Sequence, residues 1–216
     1  MTMSSNELLL GFDAREMWLD VAEYWPEERK RTFLLQQDIV KPLSTDTLVW
    51  RSVFDVEQTL LRPQWTGPIQ ELWEDLQALE NALSTASHRT KPYWVIAFTL
   101  LSASSDSEEQ AYWTVRTQGV SPCIRDPSWH LLGYDVADRY LLSGLTNLSW
   151  DPVSTDEVQA IGQKYIPYLN EYHLFTSVEP ATEFLPLAEE GAREHAPFFV
   201  FGLWLIKKEE GLAHPD

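Results

Sequence analysis

Residues 197–208 read PFFVFGLWLIKK. From Phe198 to Ile206 every residue but Gly202 is aliphatic or aromatic. Such a run is far shorter than the roughly 20 apolar residues that a membrane-spanning helix requires. Continuous apolarity, in place of a polar/apolar alternation, predicts a strand buried on both faces at the centre of a sheet. Outward from it, KPYWVIAFTLL and AYWTVRTQGV flank the polar, serine-rich and acidic stretch Leu101–Gln110. Two β-branched and aromatic runs around a polar connection predict adjacent antiparallel strands at Tyr93–Leu101 and Tyr112–Gln118. Further strands are expected at Glu7–Phe12 and Thr47–Phe54.

Helices are expected between these strands. Over 68–86 the residues Ile69, Leu72, Trp73, Leu76, Leu79, Leu83 and Ala86 recur at three- and four-residue steps, with Pro68 suited to the first helical position. A second helix starts at Ser154, whose spacing to Glu157 is that of a capping box; Val158, Ile161, Tyr165 and Ile166 follow on one face, and Pro167 ends or kinks it. A third covers Asp13–Trp25, with Met17, Trp18, Val21 and Trp25 as its stripe, and a fourth covers Ala181–His195, interrupted by Pro186. Regular strand–helix alternation is missing and no internal repeat stands out. The expected architecture is α+β: a mostly antiparallel sheet with several packed helices, in a single compact domain over 1–216.

The 216 residues carry 33 Asp and Glu against 16 Lys and Arg, a net charge of −17. That balance argues against nucleic acid and anionic membranes as partners, because both require a basic face. The excess is uneven: residues 145–216 hold 12 acids and 4 bases, so an electrostatic docking face is sought there first. The start, MTMSSNELLLGF, has neither the basic head nor the long apolar run of a signal peptide. Together with the single unpaired cysteine, Cys123, it predicts a cytoplasmic protein. Eight of the ten tryptophans fall into two groups. Trp18, Trp73, Trp94 and Trp204 lie within apolar stripes or strands and belong to a core. Trp25, Trp65, Trp129 and Trp150 flank Pro, Gly or Asp and suit a surface anchor.

Catalytic motifs are sparse. His130, Asp135, Asp138 and Ser143 cluster within WHLLGYDVADRYLLSGLTN, a grouping that suggests a hydrolase with Ser143 as nucleophile, His130 as base and an Asp to orient it. Ser143-Gly144-Leu145 lacks the Gly-x-Ser-x-Gly elbow that exposes such a nucleophile. The preferred reading makes this segment a helix start or turn, with Asp135 and Asp138 as caps and Val136, Tyr140, Leu141 and Leu145 facing inward. Cys123 with His130 would be a thiolate–imidazolium pair, but a lone Cys is more often a small buried hydrophobe. The five histidines are scattered, with no HExxH, no EF-hand loop and no phosphate-binding glycine loop. No metal or other cofactor is expected.

The stretch LGYDVADRYLLSGLTN, Leu132–Asn147, resembles bacterial immunity proteins of contact-dependent and other polymorphic toxin systems. The resemblance covers 16 of the 216 residues. Such proteins are small, cytoplasmic and often acidic, and they bind and block a toxin domain; their folds are diverse, so it implies a function and no architecture.

Three functions compete. The first is an immunity or inhibitor protein, not an enzyme, that neutralises a basic toxin domain such as a nuclease. The second is a small hydrolase using His130 with Asp135 or Asp138, and the third a non-catalytic adaptor. Missing catalytic motifs rank the first highest. Its binding residues are expected at Trp150, Asp151, Asp156 and Glu157, where carboxylates adjoin an aromatic anchor, with Asp135 and Asp138 as a second patch.

Overall fold

The computed structural model describes residues 7–16, 72–73, 75–85, 93–101, 126–138, 143–144, 164–170, 172, 174–191, 193 and 195–209. In chain order these form β1 (Glu7–Glu16), α1 (Leu76–Thr85), β2 (Tyr93–Leu101), β3 (His130–Asp138), α2 (Val178–Gly191) and β4 (Phe198–Glu209), with a 3-10 turn at Ile166–Tyr168 before α2. The four strands make one sheet in the order β1-β2-β4-β3, every neighbouring pair antiparallel. The architecture is α+β around an antiparallel sheet. The strand expected over 47–54, the one over 112–118 and most of the helix from Ser154 lie outside the described residues.

β4 occupies the interior of the sheet, between β2 and β3, and Phe198–Trp204 is buried throughout. On one face Phe199, Phe201 and Leu203 pack with Trp94, Ile96, Phe98 and Leu100 of β2. On the other face Phe198 and Val200 meet α2, while Trp204 joins the residues around α1. The continuous apolar run thus follows from burial on both faces.

The two helices lie on that second face. Asp75 caps α1: its side chain accepts the Gln77 N–H at 2.9 Å and its carbonyl accepts the Leu79 N–H at 3.1 Å. This is an N-cap pattern. Leu79 and Leu83 then reach Phe12, Ala14, Tyr93 and Val95. In α2, Ala181, Phe184 and Ala188 recur at helical spacing and pack on Val136, Phe198 and Val200. Pro186 sits inside α2 without ending it. Its ring is on the exposed side, where the carbonyl left without proline's N–H is open to solvent.

Four expectations need correction. The helix expected over 68–86 begins only at Leu76. Trp73 instead bridges Phe12 of β1, each backbone N–H donating to the other's carbonyl at 2.7 Å. The helix expected from Asp13 is displaced by β1, which runs to Glu16; residues 17–25 lie outside the described part. Asp13, expected to open that helix, is a buried strand residue paired at 2.7 Å with the equally buried Arg15. The segment around Asp135 is a strand, β3, where a helix start or turn was expected.

The fourth correction concerns repetition. β1 and β3, the two edges, are built alike. LLGFD at 9–13 and LLGYD at 131–135 each place a bulge at the second Leu and a glycine at φ near +150°. Each then pairs its next residue, Phe12 or Tyr134, with an aromatic residue that flanks the sheet, Trp73 or Phe175.

Candidate functional site

Asp135 and Asp138 lie on adjacent turns of the pleat in β3, and both are buried. Asp135 stands opposite Phe201, on the face away from the helices. Its Oδ1 accepts the N–H of Val136 at 2.8 Å and the hydroxyl of Ser143 at 2.9 Å. Donors of this kind are what allow a carboxylate to leave water. Asp13, at the matching place in β1, solves the same problem differently: it accepts the N–H of Ala14 at 2.9 Å, and its second donor is the Arg15 guanidinium at 2.7 Å. Arg15 also stands 5.0 Å above the Phe98 ring. Asp135 is therefore built into the sheet as Asp13 is, and a docking partner would not reach its side chain in this fold.

Asp138 ends β3. Its Oδ2 is 3.3 Å from Nδ1 of His195, whose side chain is one-third exposed while that of Asp138 is 1 % exposed. The two form an ion pair only when the imidazole is protonated. The histidine is not the one expected. His130 is exposed at the opposite end of β3, about 16 Å along the strand from Asp135 at roughly 3.3 Å per residue. Ser143 is fully buried and bonded to Asp135. The structure does not bring His130, Asp135 and Ser143 together as a hydrolytic triad.

Trp150, Asp151, Asp156 and Glu157 lie outside the described residues, as do Cys123, Trp18, Trp25 and Trp65. Trp94 and Trp204 are buried in the sheet, as their strand setting predicted, and Trp73 is half-buried beside it. Trp129, expected as a surface anchor, is instead half-buried; its ring meets Phe12 edge-on at 5.8 Å.

Sequence reading missed a surface around the start of α2. Tyr168 is the large hydrophobic residue left exposed, at 49 %, among those described. Its carbonyl accepts the N–H and hydroxyl of Thr176 at 3.0 and 3.2 Å, which holds the 3-10 turn against the entry to α2. From that entry Glu179 and Glu183 project into solvent, and Glu190 does so at the far end of the helix. The carboxyl of Glu179 is held below its ordinary pKa by its own backbone N–H and then by the hydroxyl of Ser177. Two acids, Glu189 and Glu190, stand in the last turn of α2 and no base does, against the preference of the helix dipole for cations there. The signal for this surface was present in the sequence as an acid-rich helix preceded by YIPY.

Among the described residues no helix is long and apolar enough to cross a membrane, and no group of three or more metal-ligating side chains converges. No protein-family description, curated protein or solved structure matches this chain.

Proposed function

We propose that this chain is a cytoplasmic immunity or inhibitor protein that binds and neutralises a basic toxin domain. The observation that carries the reading is the −17 net charge, weighted to residues 145–216. A toxin that acts on RNA or DNA has a positive active face, because its substrate is a polyanion. A strongly acidic protein is suited to occlude such a face. Carboxylates accelerate the encounter, and a few desolvated aromatics slow release.

Two patches serve the proposal. The first is Trp150 with Asp151, Asp156 and Glu157, where an aromatic adjoins three acids. The second is Tyr168 with Glu179 and Glu183, an exposed ring followed by the acidic start of a helix. Asp135 and Asp138 are buried, so in this proposal the docking role passes to exposed acids.

The test is to co-purify the chain with its protein partner from the native host and to follow binding from about 50 to 500 mM salt, a range that spans weak to strong screening. Asp151→Lys with Asp156→Lys, and separately Glu179→Lys with Glu183→Lys, should slow association and flatten its salt dependence while the melting temperature changes little. Salt-insensitive binding would contradict the proposal, as would recovery of no basic partner.

A further inference from the structure

We infer that the chain is a tandem duplication: two copies of one β–α–β unit, 7–101 and 130–209, that pair across the centre of the sheet as a dimer fused into a single chain. The inference is independent of the function proposed above.

The strand register carries it. In the first copy Leu9, Gly11, Phe12, Asp13, Ala14, Arg15 and Glu16 stand opposite Thr99, Phe98, Ala97, Ile96, Val95, Trp94 and Tyr93. In the second, Leu131, Gly133, Tyr134, Asp135, Val136, Ala137 and Asp138 stand opposite Trp204, Leu203, Gly202, Phe201, Val200, Phe199 and Phe198. Numbers along the edge strands differ by a constant 122, and those along the inner strands by a constant 105. Both registers skip one residue at the same place, Leu10 and Leu132. Independent origins would have to reproduce a bulge, a positive-φ glycine and a flanking bridge in matching order.

The seam between the copies has the symmetry that a dimer demands. β2 and β4 pair antiparallel, and Phe98 faces Leu203, its own counterpart. Around that pair the contacts repeat: Ile96 faces Leu205 as Phe201 faces Leu100, and Ala97 faces Trp204 as Gly202 faces Thr99. Residue i of one copy meets j of the other, and j meets i, which defines an isologous two-fold contact. After the bridge residues Trp73 and Phe175, each copy continues into a helix on the same face of the sheet.

The copies differ in what each adds to the shared unit. Arg15 is matched by Ala137, and Thr99 by Trp204. Gly202 stands where the first copy has Ala97 because the Thr99 hydroxyl, the Glu7 carboxylate and the Trp204 indole crowd that spot; a Cβ would lie 2.6 Å from Thr99 Oγ1. Between its edge strand and its bridge residue the first copy carries residues 17–72 and the second 139–174, and the Trp150–Glu157 patch belongs to the latter.

Two full-length variants test this. The first exchanges counterparts at the seam: Ile96→Phe, Phe98→Leu, Phe201→Ile and Leu203→Phe together. All four side chains are buried on one face. Under two-fold symmetry the exchange turns the contact set by half a revolution, so it should melt within about 5 °C of the native chain although its single changes lose more. A shift of a few degrees is expected because Arg15 loses the ring beneath it. The second is a circular permutant running 126–216 then 1–125, which reverses the order of the copies and should unfold in one cooperative transition with an unchanged far-ultraviolet spectrum. An exchange that falls by the sum of its single changes overturns the two-fold, and a permutant that does not fold overturns the duplication.

Discussion

Replacing Gly133 by alanine is the sharpest single test of the fold. An added Cβ would lie 2.5 Å from the Leu174 Cβ and 2.9 Å from the Phe175 carbonyl oxygen, at a φ of +151°. Neither obstacle is a flexible side-chain end. Phe175 is held by two backbone hydrogen bonds to Tyr134, of 2.9 and 2.8 Å, and Leu174 by the Asn170 side chain. The backbone strain costs about 1–3 kcal/mol, the overpacking about 1–3 kcal/mol, and a broken bridge about 1 kcal/mol more. Since these overlap, the loss should be about 3–6 kcal/mol, a large share of the roughly 5–15 kcal/mol that holds a domain together. In a chain of this size it lowers the melting temperature by roughly 6–24 °C. Circular dichroism melts and urea titrations read it directly. Gly11→Ala should cost about as much, because its Cβ would lie 2.6 Å from the Trp73 carbonyl oxygen. Gly191→Ala, at the exposed end of α2, is the control and should shift stability by no more than about 1 kcal/mol. A Gly133→Ala protein that melts within 2 °C of the native chain, by the roughly 2–4 °C per kcal/mol of such domains, would refute the close approach of β3 to its flanking segment.

Three further outcomes are expected. Ser143→Ala strips a donor from the buried Asp135 carboxylate, so urea unfolding should show a loss of about 1.5–3 kcal/mol with partner binding unaltered in the folded fraction. Arg15→Met leaves Asp13 buried without its 2.7 Å ion partner and should cost about 3–5 kcal/mol; the double variant Asp13→Leu/Arg15→Met should recover part of that in a chemical melt. Leu79→Asp places a carboxylate where α1 meets the sheet, at a fully buried position, and should cost several kcal/mol. Leu76→Asp, at a half-buried site, should cost clearly less in the same calorimetric scan.

The residues that disclosed their place in the sequence are those whose burial is uniform. β2 and β4 are apolar on both faces, so composition alone marked them, and β2 was bounded correctly at Tyr93 and Leu101. β1 and β3 were harder because each carries buried charge. Asp135 and Asp138 in an otherwise apolar run mimic helix caps, Asp13 and Arg15 interrupt the apolar pattern of β1, and the bulges at Leu10 and Leu132 break the two-residue alternation by which a strand is recognised. Helix starts misled for a related reason: Leu72 and Trp73 share the three- and four-residue spacing of α1, yet Asp75 caps the helix after them. The repeat escaped notice because its copies are offset by 122 residues at one strand and 105 at the next, so no constant period exists. As for the candidate site, the sequence shows an acid-rich helix after YIPY, but the exposure of the Tyr168 ring is set by the 3-10 turn that presents it.

The position of β4 in the chain has a consequence for biosynthesis. Among the described strands it comes last in sequence, yet it is the one that joins β3 to β1 and β2. Until the ribosome has released residues 198–209, β2 carries an open row of backbone donors and acceptors along its inner side, flanked by Trp94, Ile96 and Phe98, and β3 has no sheet to join. Such an edge is a template for intermolecular pairing. A polypeptide cut short before Phe198 would lack the strand that joins β3 to β2 and is expected to aggregate or be degraded more readily than the full chain.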